Sequence, residues 1–573
     1  MERKAFLTSA SALGAQELLS SLRSAGRFGA RTAAGGPLPF NNAGSNYREH
    51  LPKGQPVGTL SDNLARYTGT WDDAQIYHLL RRTMFGVPES QFQAAKVLGS
   101  MNAVVSALLA CQDTTTVPLP AKFASWLDDY PTLTGTTSEL LNVATLEGYK
   151  IAEIENWWFD QMMQENLSIR QKMTLLWTNH FVTGSETVFI ASYVYTYLMT
   201  CMANALGNFK DFASAISIDP AMLLYLNGNQ NFVLGSQSFV NENYARELME
   251  LFTLGLFDPK TGKPNYTELD VQNSARALTG WMPSVTAPFV GQPNPGLHDS
   301  SEKTFLGQTG NWALADIINI IFKQGSPAGY TAAYWACQKI YQEFVYYVPN
   351  KSVVDAMATV MLQNNFAIAP VMEALLSSAH FYSANVIGAQ IKGPAQYMGT
   401  LVREFALTYP AFDPAEPPVV MTDKAGLNTY GDTNPTLSIM TGLCNQQGQE
   451  LLNPPNVKGW PGGESWLNAG SFSNREEYSA IIVSDLFDNK TYNGVTYNLA
   501  FGPNAYATQI PNEATMNEGQ LFLQLENLSL AFTLGPIESE ALAPDPASTM
   551  DLIDNAVPAF ALSLPQLPEF QLY

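Results

Sequence analysis

The sequence predicts a mainly α protein: a large multi-helix domain with long irregular loops and a few short strands. Three observations carry that expectation. Apolar residues recur at helical spacing in long blocks, alternating strand patterns are scarce, and 46% hydrophobic residues in a chain of 573 suffice to bury an extended core.

Residues 1–60 read as a degenerate export signal followed by a linker. Glu2-Arg3-Lys4-Ala5-Phe6-Leu7-Thr8 resembles a twin-arginine signal in which Lys4 replaces the second arginine. The apolar stretch from Ser9 to Ala15 stops at Gln16 and Glu17, and no small-x-small cleavage site follows at the usual place. A periplasmic or extracellular location is therefore the expectation. Cytoplasmic residence is the alternative, because an ordinary amphipathic start contains the same residues. Ala33-Ala34-Gly35-Gly36-Pro37 lies in a stretch with linker composition.

The helical domain is expected over 61–500. Its first helix begins near Trp71, capped by Asp72 or Asp73, with Ile76, Leu79 and Leu80 at helical spacing and Gly86 as the stop. Pro88 opens the next helix. From 137 to 255 the helical signal is nearly continuous, and further helices are expected at 267–281, 311–323, 331–346, 351–363, 369–379, 386–407 and 475–486. Short strands are expected only around 284–306 and 487–500. Segments 282–303 and 409–434 are long enough without a period to be functional loops. A third irregular stretch, Leu452 to Gly463, has a Pro and Gly content that fixes unusual backbone geometry, with Trp460 and Trp466 placed to pin it. Residues 501–573 form an acidic C-terminal extension, since nothing after Lys490 is basic.

The net charge of −21, with no long basic run, argues against nucleic acid and against an anionic membrane surface. No apolar run reaches the roughly 18 residues of a membrane span. Cys111, Cys201, Cys337 and Cys444 form no CxxC, which excludes a zinc ribbon or a thioredoxin-like motif and leaves buried thiols or, after export, long-range disulfides. There is no GxSxG, HExxH, P-loop or dinucleotide fingerprint.

With five histidines in the chain, their surroundings become informative. His298, Asp299 and Lys303 bring an imidazole, a carboxylate and an ammonium into one loop, which suits a divalent metal or a general acid–base pair. A loop stapled by local bonds explains the same residues. His180 ends an apolar stretch and reads either as a satisfied core histidine or as a third contributor. In the predicted helix 241–255, Glu242, Arg246 and Glu250 stack at i, i+4, while Tyr244, Leu248, Leu251 and Phe252 share the other face. A solvated salt-bridged face accounts for that pattern, yet Asn227, Asn229, Asn231, Asn241 and Asn243 nearby suit a polar pocket. Thr267 and Asp270 form a capping box.

His78 to Arg82 with Phe85-Gly86, Met173 to Phe181, Pro220 to Leu226, Asn241 to Gly255, Tyr266 to Trp281, His298-Asp299 with Lys303 to Gly307, and Asn453 to Trp466 resemble, in that order, the bacterial family called domain of unknown function 1800. The resemblance runs over roughly 70–490. It implies a mostly helical fold, export, and a neighbouring gene for a second exported protein. Two functions compete. One is a metal-assisted hydrolase or transferase of the cell envelope: His298 acts as base or metal ligand, Asp299 orients it, Lys303 and Arg246 bind developing charge, and Glu242, Glu247 and His180 complete the site. The other is a non-catalytic scaffold that docks a partner protein, with the Pro-interrupted terminus Leu564 to Tyr573 suited to groove binding unless it packs on its own chain.

Overall fold

The computed structural model describes residues 64–110, 137–413, 415, 419–422, 428–431, 434–468, 470–475, 490–492, 495–497 and 568–571. The segment expected to be an export signal, Cys111, the predicted helix after residue 475 and most of the expected acidic extension lie outside them.

The chain is mainly α. In order, the helices are α1 (Asp73–Thr83), α2 (Glu89–Val97), α3 (Met101–Leu109), α4 (Thr137–Gln164), α5 (Arg170–His180), α6 (Ser185–Val188), α7 (Ala191–Ala203), α8 (Phe209–Ser217), α9 (Pro220–Tyr225), α10 (Asn243–Glu247), α11 (Glu268–Ala277), α12 (Leu314–Ile321), α13 (Pro327–Phe344), α14 (Lys351–Gln363), α15 (Ala369–Leu376), α16 (Pro394–Glu404) and α17 (Pro435–Gln446). Local chemistry sets many of their starts. Asp72 caps α1 through a capping box with Gln75, and Thr267 caps α11 through one with Asp270. Prolines open α9, α13, α16 and α17, where their missing N–H costs nothing.

The described strands form two-stranded antiparallel hairpins: β1 (Phe232–Leu234) with β2 (Gln237–Phe239), β3 (Trp281–Pro283) with β4 (Gly291–Pro293), β5 (Lys303–Phe305) with β6 (Gln308–Gly310), β7 (Val419–Thr422) with β8 (Asn428–Gly431), and β9 (Lys490–Tyr492) with β10 (Val495–Tyr497). The first and fourth pairs replace expectations of helix at 232–239 and of irregular chain at 409–434. The turn of the first hairpin holds Gly235 at φ 60°, a conformation that interrupts a helix.

The predicted helix 386–407 is shorter than its apolar pattern. Gly388 takes a positive φ of 68°, and α16 begins only at Pro394, so 386–393 is an irregular strap. Helix 241–255 is also altered, since α10 passes directly into a π-helix over Leu248–Thr253. There the Leu254 N–H bonds the Met249 carbonyl at 2.9 Å, so the i, i+4 phase ends before Glu250. Arg246 still pairs with Glu242 at 3.2 Å, but Glu250 instead accepts from the Tyr266 hydroxyl at 3.5 Å.

One hydrophobic core runs through the described helices, with Trp157, Trp158 and Trp177 among its largest buried side chains. Two of the indole N–H groups are satisfied within the core: Trp158 donates to Gln171 Oε1 and Trp177 to the Ala205 carbonyl, each at 2.9 Å. Helix α5 packs on α7 and α13, while α13 packs on α12, α14 and the π-helix. Cys201, Cys337 and Cys444 are buried free thiols. No single helix among the described residues is long and apolar enough to cross a membrane.

Candidate functional site

The side chains singled out in the sequence do not converge. Arg276, at the end of α11, donates through Nε to Asp299 Oδ2 at 2.8 Å. Asp299 Oδ1 accepts from the Ser301 backbone N–H at 2.9 Å and from the Ser301 hydroxyl. Burial alone would raise the Asp299 pKa, but these bonds outweigh it and hold the carboxyl at about 2. Lys303 is buried, and its ammonium donates to the carbonyls of Asp299 and Ser301, the latter at 2.8 Å. His298 Nδ1 lies 3.2 Å from both the hydroxyl and the carbonyl oxygen of Thr279. The loop is a stapled turn whose polar groups are held by one another and by Arg276 and Thr279.

Arg246 binds Glu268 at 2.6 Å, at the other end of α11. Eight residues of helix, about 12 Å of rise, separate Glu268 from Arg276. The expected face-to-face arrangement of the 298–303 loop and the Glu242–Glu250 helix is therefore not formed: the two are tied to opposite ends of α11. Among the described residues no three His, Cys, Asp or Glu side chains are grouped to hold a metal ion.

His180 belongs elsewhere. Its Nε2 lies 2.9 Å from the Phe252 carbonyl, so that nitrogen carries the proton. Burial, aided by the Lys339 cation, pushes its pKa down to about 3. The ring is thus neutral at physiological pH and too weak a base to work there. The Phe252 carbonyl is in the π-helix, as is the Leu251 carbonyl, which accepts from Trp335 Nε1 at 2.7 Å. These two contacts satisfy main-chain oxygens that the wider helical turn re-aims.

His180 lines a polar cavity of about 340 Å³. One wall is α5, which supplies Lys172, Leu175, Leu176, Asn179 and His180, a stripe at i, i+3, i+4, i+7, i+8. A second wall is the end of α13, with Lys339, Gln342 and Glu343, and then Tyr347. The strap contributes Gln390, Ile391 and Gly393, and the first turn of α16 adds Gln396. The Pro/Gly-rich loop closes the cavity with Lys458, Trp460, Gly462, Gly463 and Trp466. None of His298, Asp299, Lys303, Glu242, Arg246 or Glu247 lines it. Glu247 comes nearest in effect: burial and Glu250 raise its pKa, while Arg246 and the rim residue Lys458 lower it.

The closing loop is attached to α5 by Asn179. Its Oδ1 accepts the Trp460 N–H at 2.6 Å, and its Nδ2 donates to the Trp460 carbonyl at 3.2 Å. Gly459 permits this approach. Its φ is 80°, and a Cβ there would sit 2.2 Å from Asn179 Oδ1 and 2.6 Å from the Asn179 carbonyl oxygen. Trp460 is consequently buried although it lies in a loop.

The cations of the cavity differ in their partners. Lys172 is buried and held by Glu343 Oε1 at 3.2 Å and Gln396 Oε1 at 3.0 Å. Lys339 has no carboxylate or hydrogen-bond acceptor among the described residues. Its Nζ lies 4.9 Å from the Trp335 ring centre, and burial lowers its pKa. Lys458 stands exposed at the rim. Sequence reading missed all three lysines, although polar residues interrupting apolar α5 at one-face spacing were a usable signal.

The family model described as Protein of unknown function (DUF1800) matches residues 78–572, and the chain belongs to that family. The match includes the C-terminal segment beyond residue 500 that the sequence reading set outside its resemblance. No curated protein and no solved structure matches the chain.

Proposed function

We propose that this member of the family binds a small anionic molecule in the cavity between α5, α13 and the Trp460 loop. The observation that carries the reading is Lys339, a half-buried ammonium on the cavity wall that no acid pairs with among the described residues. Withdrawing a charge from water costs several kcal/mol unless a counter-charge repays it, and buried charges are normally paired. An anionic group at Lys339 would supply the missing partner, and Lys458 at the rim would steer it in. In a chain of net charge −21, a cavity holding three lysines against Glu343 is a local reversal of sign of the kind that concentrates anions. The volume and the mixed aromatic and amide lining fit a small metabolite or one sugar-sized unit.

Binding is better supported than the metal-assisted hydrolase or transferase expected from the sequence. That mechanism needs His298 or His180 as base or ligand. The first is engaged with Thr279, and the second is held neutral and hydrogen bonded to a main-chain carbonyl. Export guided by Arg3 and Lys4, with service to a second exported protein, belongs to the same proposal: a periplasmic or extracellular carrier would present the bound anion to that partner.

Calorimetric titration of the purified chain with inorganic phosphate, sulfate and glucuronate, beside neutral glucose, tests the reading. At least one anion should bind more tightly than glucose. Lys339→Met should weaken that binding on the order of tenfold or more, the effect of losing a hydrogen bond to a charged group. Equal affinity for glucose and the anions, or unchanged affinity in the variant, would refute it.

A further inference from the structure

The described part of the terminal peptide that looked suited to groove binding, Pro568–Gln571, packs against its own chain. Pro568–Gln571 forms a 3-10 turn whose Phe570 and Gln571 are buried. The Phe570 ring stacks on Phe405, with centres 5.8 Å apart and planes at 9°, and meets the edge of Tyr397 at 5.7 Å. The Lys392 ammonium lies 4.0 Å from its centre. Gln571 contributes polar contacts. Its carbonyl accepts the Lys392 N–H at 2.7 Å, and its Oε1 accepts from Arg475 Nη1 at 2.9 Å. Arg475 in turn donates through Nη2 to the Lys392 carbonyl at 2.8 Å.

Both backbone groups of Lys392 are thus held, one by the terminal turn and the other by a guanidinium that the turn helps to satisfy. Lys392 is the middle of the strap: Gln390, Ile391 and Gly393 line the cavity, whereas the Lys392 side chain lies under Phe570 on the opposite side. The strap is fastened on its cavity side as well, since Gln390 Nε2 donates to the Gln342 carbonyl at 2.6 Å and Gln449 Oε1 accepts the Ala395 N–H at 2.9 Å. Arg475 is fully buried, and its other bonds go to neutral oxygens, so removing Gln571 would strand an N–H of a charged group. Such a group would reorganise locally, and what it would release is the strap.

We propose that Phe570 and Gln571 are positioning residues of the cavity: the C-terminal turn fixes the 390–396 segment and so sets the shape of the wall that Gln390, Ile391, Gly393 and Gln396 form. The consequence for affinity rests on the anion-binding reading, whereas the mechanical part does not.

Two full-length variants, Gln571→Ala and Phe570→Ala, separate these parts by amide hydrogen exchange and phosphate calorimetry. Gln571→Ala keeps the aromatic anchor, so it serves if the larger cavity left by Phe570→Ala prevents folding. Exchange at 390–396 should accelerate on the order of tenfold in Gln571→Ala, with α7 and α14 unchanged, and phosphate affinity should fall by a similar factor. Faster strap exchange in a protein whose wild type binds no phosphate supports the positioning role and counts against the anion reading alone. Unchanged strap exchange, or acceleration spread evenly over the helices, would overturn the proposal. So would a loosened strap with wild-type phosphate affinity.

Discussion

Gly459→Ala is the sharpest probe of how the cavity is closed. At φ 80° an alanine takes on left-handed strain, and its Cβ would stand 2.2 Å from Asn179 Oδ1. That contact cannot persist, so Asn179 must give up its two bonds to the Trp460 backbone. Left-handed strain of about 1–2 kcal/mol, together with two hydrogen bonds of about 1 kcal/mol each, places the loss at roughly 3–4 kcal/mol. Helix α5 is rooted in the core by Trp177 and Met173, whereas the loop depends on the Asn179 clamp, so the cost should appear as release of the loop. Trp460, now 5% exposed, would enter water. The assay is tryptophan emission alongside urea denaturation and phosphate titration. The variant should show red-shifted emission in the absence of urea, a first unfolding phase at lower urea than wild type, and weakened phosphate binding. Wild-type emission together with an unaltered urea profile would show that Gly459 is not the hinge of this contact and that the cavity is closed by something else.

Two further predictions concern titration. Burial, reinforced by Arg81 and Arg475 against the pull of Glu404, lowers Lys392 from 10.5 to about 7. The folded state therefore binds fewer protons than the unfolded state between those values, and the Lys392 contribution to stability must rise with pH from about 7 to about 10.5. Urea midpoints across that range should climb more steeply in wild type than in Lys392→Met, and parallel curves would contradict the assignment. Asp299 is the opposite case: held at about 2 despite burial, it stabilises the fold above its ordinary value of 3.8, and that contribution is lost as pH falls from about 4 to about 2. Asp299→Asn should lower stability at neutral pH by about 1–2 kcal/mol, given its partial screening, and flatten the acid limb of the stability curve. It should leave phosphate affinity unchanged, whereas a loss of binding would return the 298–303 loop to the functional site.

The helical class of this protein, many of its helix starts and its aromatic core were legible in the sequence because they depend on neighbours within one or two turns. Asp72 and Thr267 cap helices through residues three positions away, and Trp157, Trp158 and Trp177 declare a core by size and apolarity alone. The stapling of His298, Asp299 and Lys303 was legible as one of two readings through the local bonds of Ser301 and Lys303, whereas the contacts of Arg276 and Thr279, 23 and 19 residues away, were not. The candidate site was not. Whether Lys339 is paired depends on which side chains stand near it after α5, α13, the strap and the Trp460 loop have packed, and no local period encodes that. Asn179 meets Trp460 across 281 residues of chain, and His180 meets Phe252 across 72. The π-helix was hidden for a related reason: its widened turn is held by Trp335 and His180 from other helices, so the residues of 248–253 read by themselves as ordinary α. Sequence alone determined the helical class, many of the helix starts and the aromatic core they bury. Tertiary structure decided which polar groups neutralise one another and that Lys339 lines a cavity with no acid paired to it among the described residues, because desolvation and pairing are set by neighbours distant in the chain.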